Sequence, residues 1–183
     1  MLEVACNDQL PVAAARAGQL EAWDDLFRRY QMPLYVYVVE LVHDQQTSLD
    51  IVQETFINAV RYLHTLENDG KFGAWLFRIA HQKCVQYWRR PIRETPLDAH
   101  EDPEWHQDEP DPSETLIRKE REEEFMQKVN SLSEAHRAVL LLHYLEDFPL
   151  EEIATITATN LGTVKSRMHY AKKTLKRLLE AEL

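Results

Sequence analysis

"LEEIATITATNLGTVKSRMHYAKKTL", residues 150–175, sets a short apolar-acidic segment and a basic amphipathic one on either side of a few turn residues. In the second segment Val164, Met168, Ala171, Leu175 and Leu178 step by four, three, four and three. That spacing predicts one helix with a single apolar stripe. Asn160 stands where its side-chain oxygen can cap the helix start. Pro149 opens the shorter segment "LEEIATI". Short helix, tight turn, longer basic helix is helix-turn-helix order, in which the start of the second helix enters a DNA major groove.

The stripe turns Lys165, Ser166, His169, Lys172, Lys173 and Lys176 outward. Lys165, Ser166 and His169 lie in the first turns and can reach base edges, while Thr163 and Arg167 are placed for phosphates. The charge of this helix stands against the whole chain, whose formal net charge is −10 over 183 residues. Counted in blocks, residues 1–60 carry −6, 61–93 carry +5, 94–124 carry −10, 125–160 carry −3 and 161–183 carry +4. Two basic islands in an acidic chain imply two confined anion-facing surfaces rather than a general polyanion binder.

Upstream, residues 8–90 read as helices almost throughout. Leu20, Trp23, Leu26, Phe27 and Tyr30 recur at helical spacing, and Leu34, Val38 and Leu41 extend the stripe. Pro33 is expected to kink that helix or to start a new one. A further helix over about 48–64 carries Ile51, Val52, Phe56, Ala59, Val60 and Leu63, and the turn chemistry of Asn68, Asp69 and Gly70 ends it. Another helix fills about 71–90 and stops at Pro91, with Phe72, Trp75, Leu76 and Ile79 as its core face. Ser133 is a plausible N-cap for the helix holding Val139, Leu140 and Leu142.

Residues 91–115, "PIRETPLDAHEDPEWHQDEPDPSET", contain five prolines, nine carboxylates and one arginine. Such a segment cannot bury enough apolar surface to order itself and reads as an extended acidic linker. The expected architecture is all-α, with two small helical domains at 1–90 and 116–183 joined by the flexible linker 91–115.

Several classes drop out. No apolar run approaches the roughly 20 residues that a membrane helix needs, and the N-terminus lacks the basic and apolar parts of a signal peptide. Four glycines, at 18, 70, 73 and 162, draw neither phosphate-loop pattern. Cys6 and Cys84 show no disulfide framework, which suits a reducing cytoplasm. His81 and Cys84 are spaced for two metal ligands on one helix face, or for redox sensing, but a structural zinc site takes four ligands. No nucleophile–base pair stands out, so neither catalysis nor a cofactor is expected.

Residues 150–175 resemble region 4 of bacterial RNA polymerase sigma factors. "DIVQETFINAV" and "KFGAWLFRIAHQKCVQYWRR" resemble region 2 of the extracytoplasmic-function (ECF) class, and the resemblance covers nearly the whole chain. It implies a factor that binds core RNA polymerase and directs promoter-specific initiation. By that resemblance, Asp50, Gln53 and Glu54 meet the polymerase clamp coiled coil, and region 4 meets the flap. Lys71, Arg78, Gln82, Lys83, Gln86, Arg89 and Arg90 serve the −10 element. His64 and Asn68 lie in the loop that takes an unstacked base. Thr163, Lys165, Ser166, Arg167, His169, Tyr170 and Lys173 serve the −35 element. The acidic linker matches the segment that threads the polymerase channels, and an anti-sigma factor is an implied partner. Thr157 and Ala158 stand where family members often have Leu-Gly. The competing reading is a stand-alone helix-turn-helix regulator, which has no use for "QETF" beside "AWLFRIA".

Overall fold

The computed structural model describes residues 10–89 and 124–180. Among them there is no strand. The expected linker 91–115 and Arg90 lie outside the described residues. α1 (Val12–Arg16), α2 (Leu20–Val42), α3 (Gln45–Tyr62) and α4 (Phe72–Arg89) form the first half. Helical residues 124–130 (α5), α6 (Glu134–Tyr144), α7 (Leu150–Ile156) and α8 (Leu161–Glu180) form the second.

The first core is built from one face each of α2, α3 and α4. Leu26, Tyr30, Leu34, Val38 and Leu41 meet Ile51, Val52, Phe56 and Ala59, with Phe72, Leu76 and Phe77 closing the third side. Gly73 permits the closest approach: a Cβ there would lie 3.1 Å from the Tyr30 hydroxyl oxygen. Asp44 starts α3 by accepting the Thr47 N–H at 2.7 Å. Arg16 ties α1 to the turn before α4, donating to the Leu66 carbonyl at 3.0 Å and pairing with Asp69 at 2.5 Å.

Three expectations are corrected. Pro33 does not start a new helix, for α2 runs from Leu20 to Val42 with Pro33 buried inside it. Leu20 is 84% exposed and Phe27 and Val60 are also outside the core. Each sits roughly a quarter-turn off the buried line of its helix, although Phe27 still packs on Phe56 with ring centroids 4.8 Å apart. Leu63 is buried but belongs to a separate 3₁₀ turn, Leu63–Thr65. Ser133 is the N-cap residue of α6 as expected, though its side chain makes no capping bond.

The second half packs α6, α7 and α8 around Leu142, Ile153, Ile156, Val164 and Met168. It also packs on the first half, α6 against α2 and α7 against α4. Arg137 of α6 is buried at the C-terminal end of α2. Its guanidinium donates to the Glu40 carbonyl at 3.0 Å and to the Leu132 carbonyl at 3.3 Å, and it also meets the His43 imidazole. A cation suits that place, because the last carbonyls of a helix carry partial negative charge. Phe148 meets Phe77 edge to face at 5.1 Å, and Lys71 pairs with Glu152 at 2.5 Å.

Candidate nucleic-acid and polymerase interface

The turn between α7 and α8 explains the departure from Leu-Gly. Ala158 has φ +51°, the left-handed region where glycine is usual. Its N–H donates to the Thr155 carbonyl at 3.3 Å, and the Thr159 N–H donates to Ala154 at 3.0 Å. This paired pattern closes a helix end in backbone alone. Thr157 adds a hydroxyl bond to the Ile153 carbonyl at 2.7 Å and lies 2.9 Å from the Thr159 hydroxyl. Asn160 then caps α8, its Oδ1 accepting the Thr163 N–H at 2.8 Å.

From that start, Val164, Met168, Ala171 and Leu175 are buried, as the stripe predicts. Lys165, Ser166, His169, Tyr170 and Lys173 are exposed, and Thr163 and Arg167 are half-buried. The Tyr170 ring stands beside His169, with centroids 5.6 Å apart. Arg167 points away from the exposed set, toward α4. It lines a cleft of about 490 Å³ with Gln82, Gln86 and Arg89 on one wall and Thr157–Thr159 on the other.

On α4, Arg78, Gln82, Gln86 and Arg89 are exposed in the sense that no helix covers them, though three of the four front that cleft. Lys83 is more committed. It pairs with Glu54 of α3 at 2.6 Å and is only 15% exposed, which joins one expected promoter contact to one expected polymerase contact. Lys71 is likewise held by Glu152. The His64 ring lies tilted beside Tyr62 with centroids 6.5 Å apart, and Asn68 accepts the Gly70 N–H at 2.9 Å. On α3, Asp50, Gln53 and Glu54 are exposed beside Leu49, Ile57 and Val60, a mixed polar and apolar face.

His81 and Cys84 lie inside the first half. His81 Nδ1 is 2.8 Å from the Tyr37 hydroxyl. Burial, and then the Arg167 guanidinium, push the imidazole down to about 4. Burial pushes the Cys84 thiol up to about 12, so it stays protonated and a poor nucleophile. Among the described residues no group of three or more His, Cys, Asp or Glu side chains is gathered as for a metal ion. No helix among them is long and apolar enough to cross a membrane.

Residues 26–93 match the family model for sigma-70 region 2, and residues 122–175 match that for sigma-70 region 4. The chain is 33% identical to the RNA polymerase sigma-H factor of Pseudomonas aeruginosa, over 95% of this chain and 94% of that one. It belongs to the sigma-70 family. The ECF RNA polymerase sigma-E factor of Escherichia coli is 30% identical over 92% of each chain, which places this sigma factor in the ECF class. Its fold is shared with CnrH, solved in complex with the cytosolic domain of CnrY, at a TM-score of 0.68 and 22% identity over 94% of this chain and 96% of that one. It is shared too with the sigma factor RpoE of Bartonella quintana, solved with the anti-sigma factor NepR, at a TM-score of 0.65 and 20% identity over 90% of this chain and the whole of that one. A sigma factor is a transcription initiation factor and not an enzyme.

Sequence reading missed the residues that join the halves: Arg137, Glu146 and Phe148. Only Arg137 left a signal, as a lone cation between apolar positions of α6.

Proposed function

We propose that this sigma factor reads its promoter with two separate faces and docks on polymerase with a third. The start of α8 (exposed Lys165, Ser166, His169, Tyr170 and Lys173, with half-buried Thr163 and Arg167) reads the −35 element. The outer face of α4 (Arg78, Gln82, Gln86, Arg89), with Arg90 and the salt-bridged Lys71 and Lys83, holds the −10 element. Asp50, Gln53 and Glu54 of α3 meet the clamp coiled coil of core polymerase, where exposed carboxylates suit a basic partner. Residues 1–90 and 116–183 act as two domains, and the acidic segment 91–115 links them through the polymerase channels. The site of action is the cytoplasm, with an anti-sigma factor as regulator, as the solved neighbour RpoE is bound to the anti-sigma factor NepR.

The observation that carries this reading is the solvent-facing Lys165–Ser166–His169 set at the capped start of α8, on a chain otherwise acidic. The same geometry explains why polymerase is needed. In the packed chain, Gln82, Gln86 and Arg89 face Arg167 across a cleft of about 490 Å³, so the second half stands over part of the −10 face. Core polymerase must draw the halves apart, after which two weak contacts act as one strong site.

The test is run-off transcription with core polymerase on a promoter library, paired with a gel shift of the free chain. Promoter-selective transcripts only when both proteins are present support the reading. Tight, sequence-specific binding by the free chain would sink it and favour a stand-alone regulator.

A further inference from the structure

The loop between α6 and α7 carries two side chains that the sigma-factor reading leaves unused. Glu146 is 2% exposed and Phe148 5% exposed, although both lie in a connection that would ordinarily run on the surface. The loop is rigidly made. Asp147 takes φ +54°, and the Phe148 N–H donates to the Leu142 carbonyl at 3.0 Å. His143 Nδ1 lies 3.1 Å from the Phe148 carbonyl, which it can meet only as a donor. So built, the loop inserts Phe148 against Phe77 of the first half.

Glu146 follows it into the seam between the halves. Burial, then Cys84 and then Glu146 itself raise the Tyr37 hydroxyl on α2, so the field of Glu146 reaches across the seam. One carboxylate oxygen, Oε2, is buried with no hydrogen-bond partner, and no cation among the described residues pairs with Glu146. The charged and titratable groups around the seam bring it no compensating charge: Arg137 on α6 is engaged with the Glu40 and Leu132 carbonyls, and Arg167 on α8 acts on His81. Asp147 on its own loop repels it, and Tyr37 on α2 and Cys84 on α4 stay neutral. His81 on α4 is neutral above about pH 4, and its ring nitrogen already faces Tyr37. On the α7 side Lys71 is taken by Glu152, and on the α6 side His143 is taken by the Phe148 carbonyl. A buried carboxylate without a partner is costly, whereas the protonated acid is tolerated there.

We propose that the Glu146–Phe148 loop is a proton-linked latch, which seats between the two halves with Glu146 protonated and releases that proton to solvent when the halves part. The latch stands on packing alone and does not depend on which bases the helices read. Its direction follows from linkage. In the seated loop burial, and then Asp147, raise the Glu146 carboxyl to about 7 from its ordinary 4.5. Closure therefore has its full support below the ordinary value and loses it as pH rises toward 7. Between pH 6 and 8 the Glu146 contribution to the closure equilibrium falls about tenfold. His81 works the other way, because charging it in acid opposes its burial; Glu146→Gln keeps that contribution, so comparison of the two chains isolates Glu146.

The test uses the full chain. Carbon-detected NMR follows the Glu146 carboxyl through a pH titration, its signal assigned by its loss in Glu146→Gln. Small-angle scattering reports how far the halves separate. In the wild-type chain the Glu146 midpoint should lie near 7. In Phe148→Ala, which removes the ring that seats the loop, the chain should expand and the midpoint should return to the ordinary carboxylate range. The ratio of closure constants, wild type over Glu146→Gln, should fall about tenfold between pH 6 and 8. An ordinary midpoint in the wild-type chain overturns the latch, as does a raised midpoint that survives in an expanded Phe148→Ala chain. Circular dichroism checks that Phe148→Ala keeps its helices; if it does not, the comparison of wild type with Glu146→Gln decides alone.

Discussion

α4 and α8 are both basic helices of similar length, yet they hold their charge in different settings. On α8 the stripe Val164–Met168–Ala171–Leu175 is buried, and the expected base-reading set faces water. Among the described residues its ion pairing is confined to the far end, where Lys176 meets Glu180 at 3.6 Å. On α4, by contrast, Lys83 is paired with Glu54 and is mostly covered, while Gln82, Gln86 and Arg89 front the second half across the cleft. Similar composition therefore gives one surface that faces open solvent and one that fronts the other half, with its lysine already paired. The difference lies in what stands opposite each reading face, since that of α8 is bare and that of α4 looks across the cleft to Thr157–Thr159 and Arg167.

The strongest way to break the contrast is to free α4. Arg137 holds the end of α2 through hydrogen bonds from a buried cation, and such bonds are worth more than neutral ones. Arg137→Ala should weaken the packing of the halves by about 2–3 kcal/mol, the scale of losing charged hydrogen bonds in a buried site. Scattering should show an expanded chain, and amide exchange on α4 should quicken while that on α8 stays as before. Equal quickening on both helices would mean that Arg137 supports the second half's own fold instead.

Next comes the chemistry of reading. Lys165→Ala should cost about 2 kcal/mol of discrimination at the −35 element, the usual worth of one good base contact. Because Lys165 already faces solvent, the loss should also show in the weak, salt-sensitive DNA binding of the free chain. Gln82→Ala should leave that weak binding unchanged and act on −10 preference only in the presence of core polymerase. Matching effects of the two substitutions on the free chain would erase the contrast between the helices.

A smaller effect belongs to the α8 cap. Asn160→Ala removes the bond to the Thr163 N–H and should lower stability by about 1 kcal/mol. Thermal unfolding should register it in the second half, with the first half's transition unmoved.

What could be read in advance divides along the same line. α7 and the start of α8 were legible to the residue, because Pro149 and Asn160 are local signals and the four-three spacing of α8 is regular. The chain's path through Pro33 was not, since a buried proline is tolerated when packing on both sides of it holds the helix. Nor was the surface position of Phe27 and Val60, for an apolar residue a quarter-turn off the stripe looks the same in a sequence. At the candidate site, local chemistry put Lys165, Ser166 and His169 outside correctly. The Lys83–Glu54 pair, the Arg137 anchor and the seating of Glu146 join residues far apart in sequence, and no spacing announces them.

The smallest expected effect concerns the turn that aims α8. Ala158 adopts φ +51°, where an L-residue with a Cβ is strained by roughly 1 kcal/mol. Ala158→Gly removes that strain but frees the unfolded chain, which costs about 0.4–1 kcal/mol in the other direction. The two nearly cancel, so stability should change by no more than about 0.5 kcal/mol. The backbone bonds that close α7, from Ala158 to Thr155 and from Thr159 to Ala154, need no side chain and should persist. So should the hydroxyl bond of Thr157 to the Ile153 carbonyl, which fixes the turn from its other side. The angle at which α8 leaves the turn is then unchanged, and −35 preference should be the same as in the wild-type chain. A promoter library read with Ala158→Gly and core polymerase checks this. A shifted −35 preference at unchanged stability would show that the Ala158 side chain, and not the backbone pattern, sets how the exposed face of α8 meets DNA.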